Sequence, residues 1–137
     1  MGVGRALRDA GLSTRVVAVE PDESAVMSGD KPGSHGIQGL ADGFIPELID
    51  LKQIDEIIRV STPEAHERAR RLAREDGLLV GLSSGANIAA AERLAIAMGP
   101  GKTIVTCLCD RGERYLSLNA SSSAVETEVP RSLWLDG

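Results

Sequence analysis

Three short runs rich in branched apolar residues alternate with helical patterns along this chain of 137 residues. The runs are VVAVE at 16–20, IDEIIRV at 54–60 and TIVTCLC at 103–109. Runs of this length and composition are typical of strands that are buried in a parallel sheet. The pattern therefore predicts three strands, with helices between them.

Helical signals occupy the segments around these runs. Residues 4–10 have the pattern of a helix end, with Gly11 as its C-cap signal. A second helix is predicted to begin at Ser61 or Thr62, and Glu64 completes a capping box to Ser61. The inward positions of this helix and the glycine that ends it are Ala65, Ala69, Leu72, Ala73 and Gly77.

A third helix is predicted over residues 85–98, and Gly99-Pro100 stops it. Its predicted inward face consists of Ile88, Ala91, Leu94, Ala95 and Met98. Residues 78–81 are expected to form a very short strand or an extended link, and Glu113–Leu118 a short helical segment. Strands that alternate with helices predict an α/β fold, in which a partial parallel sheet carries helices on its faces.

The pattern divides the chain into one domain and a tail. Residues 1–118 carry all the periodic segments, whereas residues 119–137 are small and polar and are predicted to form a loose tail. Inside the domain, residues 21–47 are rich in glycine and contain three prolines. A connection of this length inside a compact domain is usually functional.

Composition narrows the classes of function. The net charge is −5 and only three residues are aromatic, so the chain lacks the basic surface and stacking residues of a nucleic-acid partner. No apolar run reaches the roughly 18–20 residues of a membrane span, which predicts no membrane partner. The first residues, MGVGRALRD, lack the apolar stretch of a signal peptide, and we therefore expect a cytoplasmic protein.

Two cysteines lie close together in the third apolar run. Cys107 and Cys109 are two apart, so their side chains would share one face of a strand. A Cys-x-Cys pair without a second Cys/His cluster is a poor zinc signature. The expected result is a pair of buried, reduced thiols and no metal site.

Candidate ligand-binding residues follow the strands, since ligands of open α/β sheets lie beyond the carboxyl ends of strands and near helix N-termini. The stretches in question are GIQGLADGF at 36–44, GLSSGAN at 81–87 and CDRGERYLS at 109–117. In the second stretch, the hydroxyls of Ser83 and Ser84 could bind a polar ring atom or an anion at a helix start. Alternatively, one of these serines caps the helix while the other faces a ligand.

These stretches, together with GVGRALRD and VVAVEP, resemble the C-terminal half of cysteine synthase (O-acetylserine sulfhydrylase), a pyridoxal-phosphate enzyme of fold type II, the β-family. The matching elements occur in family order and span about residues 2–118. The resemblance implies part of an enzyme that converts O-acetyl-L-serine and sulfide to L-cysteine and acetate. A cystathionine β-synthase-like or O-phosphoserine-dependent relative, and a non-catalytic fragment acting as an interaction module, remain alternatives.

The resemblance also implies roles for individual residues. Ser83 would hydrogen-bond the pyridine nitrogen of pyridoxal 5'-phosphate, and Ser84 would lie beside it. Gly39 and Gln38 would form a wall of the substrate pocket, with Gly39 where a side chain would obstruct the bound amino acid. Asp110 would lie near the edge of the cofactor ring, although a helix cap for residues 112–118 is an equal alternative for it.

The family's remaining catalytic parts precede the matched region. They are the Schiff-base lysine, an asparagine loop that grips the substrate carboxylate and the phosphate loop. Lys31, Lys52 and Lys102 lack the Schiff-base context, so no catalytic residue is assigned and the isolated chain is expected to be inactive. The partners that the resemblance implies are an amino-acid substrate, the C-terminal peptide of serine acetyltransferase and, in the intact family, a second subunit. A partial sheet with exposed apolar edges further predicts self-association or marginal stability.

Overall fold

The computed structural model describes residues 1–115 of the chain, and within them it contains three α-helices and two strands. In chain order these are α1 (Gly2–Asp9), β1 (Val17–Pro21), β2 (Glu56–Val60), α2 (Thr62–Glu75) and α3 (Leu82–Met98). Short 3-10 helices lie at Asp22–Ser24, Leu51–Gln53 and Gly112–Tyr115. The predicted α/β fold is confirmed, while the predicted tail at 119–137 lies outside the described residues.

The two strands form a parallel pair. Val17 lies opposite Glu56 and Pro21 lies opposite Val60, so all five residues of each strand take part in the register. Helix α3 packs against both strands and α2 packs chiefly against α3. The predicted strands at 16–20 and 54–60 are therefore confirmed, with ends that differ by one or two residues.

The prediction of a third strand at 103–109 is wrong for the part of the chain that the structure describes. Val105 is 89% exposed, and no segment among residues 1–115 lies beside this run to form a ladder with it. A strand needs a hydrogen-bonded neighbour, which an apolar run alone cannot supply. The prediction of buried thiols is wrong for the same reason, because Cys107 and Cys109 are both exposed.

The helix signals at α1 and α2 are borne out by the backbone geometry. After α1, Gly11 has φ +72°, and the Leu12 N–H donates to the Leu7 carbonyl at 3.0 Å, which is the Schellman pattern. At the start of α2, Ser61 Oγ accepts the Glu64 N–H at 3.4 Å. The Glu64 carboxylate pairs with an arginine of α3 and not with Ser61, so only one half of the predicted capping box forms.

The buried face of α3 differs from the predicted one. Ala95 is exposed, and Ile88, Ala91, Leu94 and Met98 are only half-buried. The residues that pack into the core are instead Leu82, Ala86, Ala89 and Ala90. Because this helix is apolar around most of its circumference, periodicity could not identify the face that meets α2 and the sheet.

Small residues let α2 and α3 approach closely at their N-terminal ends. Gly85 of α3 lies against the backbone of Ala65 and Ala69 in α2, and a Cβ at position 85 would overlap the Ala65 carbonyl oxygen. The surrounding core comprises Ile37, Ile58, Val60, Leu82, Ala86, Ala89 and Ala90. Ion pairs between Arg68 and Glu92 and between Arg93 and Glu64 flank this crossing.

A carboxylate in the β1–β2 connection holds the start of α2. Glu23 Oε1 accepts the Thr62 N–H at 2.7 Å. Partial burial raises the pKa of Glu23, but hydrogen bonds from Thr62 outweigh it, and the pKa lies below its ordinary value of 4.5. The folded state therefore favours the ionised carboxylate. The stability that Glu23 contributes is fully present above the pKa of its unfolded state and is lost as the pH falls through the pKa of its folded state.

We therefore expect Glu23→Gln to melt at a lower temperature than the natural chain at pH 7. The loss in free energy of unfolding should be less than about 1 kcal/mol, because the side chain is exposed. The difference should shrink as the pH is lowered from about 6 to 3. Thermal melts followed by circular dichroism over this range would measure it, with Glu47→Gln as the control, since Glu47 is exposed in the same connection. A difference that is unchanged across the range would contradict the assignment.

Candidate functional site

The two serines singled out by the sequence lie in the first turn of α3. Gly81 is the N-cap, with extended backbone at φ −74° and ψ 169°, and the helix begins at Leu82, three residues before its predicted start. Ser83 is 7% exposed and Ser84 is fully buried. Neither serine caps the helix, because an N-cap side chain must precede the turn whose N–H groups it accepts. That alternative is therefore wrong.

Ser84 has a structural partner across the site. Its Oγ accepts the Cys109 N–H at 2.9 Å and so ties the end of the 103–109 segment to α3. The Ser83 hydroxyl makes no backbone hydrogen bond of this kind within residues 1–115; its polar neighbour is the Cys109 thiol, and a hydrogen bond between the two acts to lower the pKa of that thiol. Of the two hydroxyls, Ser83 is thus the one that does not bond the backbone of the 103–109 segment.

Asn87 is a site residue that sequence reasoning missed. Its Nδ2 donates to the Cys107 carbonyl at 2.9 Å and approaches Cys109 Sγ at 3.6 Å. Asn87 lies four residues after Ser83 and therefore on the same face of α3, and this spacing was the available signal. Together with Ser84, it fixes the Cys107–Cys109 backbone beside the first turn of the helix.

The Cys109 thiol is less acidic than an ordinary cysteine. Partial burial and the neighbouring Cys107 raise its pKa, and the Ser83 hydroxyl opposes the rise. A raised pKa keeps the thiol protonated at neutral pH, which disfavours a role as a nucleophile.

Asp110 closes the other side of the first turn of α3. Its carbonyl accepts the Gly81 N–H at 3.1 Å, and its Oδ2 accepts a hydrogen bond from the Tyr115 hydroxyl. This hydrogen bond is the main reason why the pKa of Tyr115 is raised. Oδ1 of Asp110 is buried and has no hydrogen-bond partner within residues 1–115. The Asp110 carboxylate thus accepts a hydrogen bond from a side chain of the Gly112–Tyr115 helix. Among the described residues it accepts none from that helix's backbone, so the predicted helix cap is not formed there.

A glycine is required where Asp110 meets the helix. A Cβ at position 81 would overlap Asp110 Oδ1 and would lie 2.7 Å from Tyr115 Cε2. Gly81 therefore allows the carboxylate to reach the N-cap of α3, a contact that no local pattern in the sequence announced.

The predicted pocket-wall residues lie in a turn just after Gly36, whose N–H donates to Thr62 Oγ1 at the start of α2 at 2.9 Å. The Leu40 N–H donates to the Ile37 carbonyl at 3.3 Å, and Gly39 has φ +80° between them. Ile37 is fully buried in the core, whereas Gln38 and Gly39 are exposed. A Cβ at Gly39 would meet nothing within 4 Å, so in this chain the backbone conformation requires glycine there. Its place beside a substrate stays a prediction.

None of the three lysines lies in an enclosed pocket beside the first turn of α3. Lys31 lies in the β1–β2 connection, Lys52 in the Leu51–Gln53 helix and Lys102 just before the 103–109 segment, and each is exposed. Within residues 1–115, no three side chains of the His, Cys, Asp and Glu types come together as a metal site would need. Among the same residues, no helix is long and apolar enough to cross a membrane.

The fold and the matched sequence define a class of protein. The pyridoxal-phosphate dependent enzyme family matches residues 1–110, which is most of the chain, and this chain belongs to that family.

Within the family, the chain is similar to cysteine synthases. It is 48% identical to the cysteine synthase of Staphylococcus aureus over 116 residues, which is 85% of this chain and 37% of that protein. The chain thus spans little more than a third of the length of the curated relatives that it matches.

Solved structures give the same result. The cysteine synthase of Entamoeba histolytica superimposes with a TM-score of 0.80 at 44% identity, over 86% of this chain and 35% of that one. The O-acetylserine dependent cystathionine beta-synthase of Helicobacter pylori gives 0.74 at 37% identity, over 85% and 38% of the two chains. The expected relation to part of a fold type II pyridoxal-phosphate enzyme is confirmed.

The residues in the first turn of α3 fit one part of the family's cofactor. A buried neutral hydroxyl at a helix N-terminus can hydrogen-bond an uncharged ring nitrogen, and Ser83 supplies it. No described lysine is enclosed in a way that suits a covalent attachment. The chemistry of the Ser83 hydroxyl thus fits a ring nitrogen, whereas no described lysine is placed to hold such a group covalently.

Proposed function

We propose that this chain supplies the C-terminal part of a cysteine synthase-like enzyme, with Ser83 as the ligand of the pyridine nitrogen of pyridoxal 5'-phosphate. The observation that carries the proposal is the buried first turn of α3. There, the Ser84 hydroxyl accepts the Cys109 N–H, whereas the buried Ser83 hydroxyl beside it does not bond that backbone. The proposed reaction breaks the Cβ–O bond of O-acetyl-L-serine with loss of acetate, and forms a C–S bond with sulfide.

Pyridoxal phosphate, when bound, supplies the electron sink for these bond changes. The contribution of Ser83 is to orient the ring through a neutral hydroxyl, which does not force the nitrogen to be protonated as a carboxylate would. Ser84 and Asn87 act indirectly, because they hold the Cys107–Cys109 backbone against α3. Asp110 and Tyr115 are proposed to line the adjacent edge of the ring.

The remaining parts of the proposal rest on the resemblance. Gln38 and Gly39, exposed in a tight turn, would form one wall of an amino-acid pocket. The same turn would contribute to docking the C-terminal peptide of serine acetyltransferase. Because the described lysines are exposed and dispersed, we expect no turnover from this chain alone. The proposed location of the protein is the cytoplasm.

A chimera tests the proposal. The 116 residues of this chain that match the Staphylococcus aureus cysteine synthase would replace their counterparts in that enzyme, which keeps its own upstream part. We expect the chimera to retain pyridoxal phosphate and to form cysteine from O-acetyl-L-serine and sulfide. Ser83→Ala in the chimera should shift the cofactor's absorption and fluorescence and lower kcat by about tenfold or more.

Ser84→Ala is the matched control, because it removes a neighbouring hydroxyl that bonds the protein backbone. It should lower the free energy of unfolding by about 1 kcal/mol, and the melting temperature with it, while the cofactor spectrum changes little. The proposal for Ser83 fails if the chimera folds and retains cofactor but Ser83→Ala leaves its spectrum unchanged. A folded chimera that retains no cofactor would argue against the family role as a whole.

A further inference from the structure

The side chain of His35 bridges the two ends of the turn that carries the predicted pocket-wall residues. Its Nδ1 accepts the Ile37 N–H at 3.3 Å, and its Nε2 lies 2.9 Å from the Ala41 carbonyl oxygen. Because Nδ1 is an acceptor, the proton of the neutral ring is on Nε2, from which it is donated to that carbonyl. A single tautomer therefore satisfies both hydrogen bonds, and Gln38 and Gly39 lie between them in the chain.

The backbone of this turn requires such a bridge. Ala41 has φ +57°, in the left-handed region that a residue with a Cβ rarely adopts. A residue persists there when its surroundings hold it, and the hydrogen bond from His35 to its carbonyl does so. The start of the turn is fixed separately, because the Gly36 N–H donates to Thr62 Oγ1 and Ile37 is fully buried. Residues 38–41 are thus held between a fixed start and an imidazole ring.

Other titratable side chains surround this ring. Burial raises the pKa of Glu23, hydrogen bonds from Thr62 lower it, and the charge of His35 lowers it further. His66 of α2 lies near the same segment, since a Cβ at Gly36 would be 3.9 Å from its Nε2. The nearest charged residues before and after the ring on its own segment are Lys31 and Asp42. The Glu23 carboxylate favours a charged ring, whereas the backbone N–H that donates to Nδ1 favours a neutral one.

We propose that the neutral ring of His35 holds the 37–41 turn closed and that protonation of Nδ1 releases it. A protonated Nδ1 is a donor and cannot accept the Ile37 N–H, so the added proton breaks that hydrogen bond and leaves the one to Ala41. Histidine is the side chain that changes charge between about pH 5 and 8, so the turn responds to pH in this range. A released turn would disorder the wall formed by Gln38 and Gly39. Only this last consequence rests on the proposed function.

Nuclear magnetic resonance of the full chain tests the release of the turn without reference to catalysis. At about pH 8, long-range proton–nitrogen spectra should place the His35 proton on Nε2. The protection factor of the Ile37 amide in hydrogen exchange should fall by about fivefold or more between about pH 8 and 5.5, because one hydrogen bond is lost. A proton on Nδ1 at pH 8, or a protection factor that is independent of pH, would overturn the proposal.

His66→Gln is the matched control for this experiment. The chain has only two histidines, so this variant leaves His35 as the one that titrates, and the response of Ile37 should persist. In His35→Asn, the amide oxygen can replace Nδ1 as the acceptor, and in His35→Gln the amide nitrogen can replace Nε2 as the donor. Neither amide titrates, so both variants should lose the pH response whatever their stability. A response that survives in either variant, or disappears in His66→Gln, excludes His35 as its source.

The chimera with the Staphylococcus aureus enzyme tests the consequence for the pocket. We expect its KM for O-acetyl-L-serine to rise by about threefold or more between about pH 7.5 and 6, with a smaller change in kcat, and His35→Asn to flatten this rise. A constant KM beside a responding turn overturns the link between the turn and the substrate. A chimera without cofactor or turnover counts against the proposed function alone, because the tautomer and exchange results are obtained on this chain.

Discussion

Replacing Gly85 by alanine should lower the free energy of unfolding by about 2–3 kcal/mol. The position lies in the first turn of α3, where that helix crosses α2, and a Cβ there would overlap the Ala65 carbonyl oxygen and lie 3.0 Å from the Ala69 N. Both obstacles are backbone atoms, so no side chain can rotate away. Alanine would gain about 1 kcal/mol in helix propensity, which is smaller than the cost of separating two packed helices.

Gly2→Ala provides the control for this experiment. Gly2 is also helical, but a Cβ there would meet nothing within 4 Å, so the substitution should be neutral or slightly stabilising. Urea denaturation of both variants, followed by circular dichroism, would give the two free energies. If Gly85→Ala proves as stable as the natural chain, the close approach of α2 and α3 is incorrect. If it fails to accumulate in soluble form while Gly2→Ala does, the prediction is supported.

The second large effect is expected at Glu20, a fully buried carboxylate at the end of β1. Its Oε2 accepts the Met27 N–H at 2.8 Å, and its Oε1 accepts the Ser28 hydroxyl. Glu20→Ala would leave the Met27 N–H without this acceptor and open a cavity, and we expect a loss of about 2–3 kcal/mol. The loss should be concentrated in residues 24–30, which this carboxylate holds against the sheet.

Two measurements separate this effect from a general loss of charge. Denaturation gives the free energy, and amide hydrogen exchange should show faster exchange at Met27 than in the core of α3. Glu56→Ala is the control. Glu56 begins the adjacent strand and forms an exposed ion pair with Arg15, which precedes β1, so its replacement should cost less than about 1 kcal/mol. Equal losses in the two variants, or unchanged exchange at Met27, would show that Glu20 does not organise this loop.

The sequence predicted the elements whose signals are local. Gly11 ends α1 with the left-handed backbone that a C-cap glycine supplies, and Ser61 caps α2 as proposed. The branched residues of β1 and β2 gave both strands to within two residues. These predictions succeeded because each depends on the conformational preference of a few neighbouring residues.

The candidate site was only partly predictable. Its location at the first turn of α3 followed from the family motif, and both serines are buried there. The sequence did not predict that Ser84, rather than Ser83, bonds the protein backbone. That bond depends on the Cys109 N–H, which is 25 residues away from Ser84 in sequence. The contact of Asp110 with Gly81 was likewise not predicted, since no local pattern relates residues so far apart in sequence.

By itself, the sequence determined the family, the two paired strands and the signals that end α1 and begin α2. Only the tertiary structure decided which face of the alanine-rich α3 is buried, which serine hydroxyl bonds the Cys109 N–H, and that the TIVTCLC run is exposed. An apolar run becomes a buried strand only when a neighbouring strand accepts its backbone hydrogen bonds and covers its side chains. Local propensity carries no information about whether that neighbour is present.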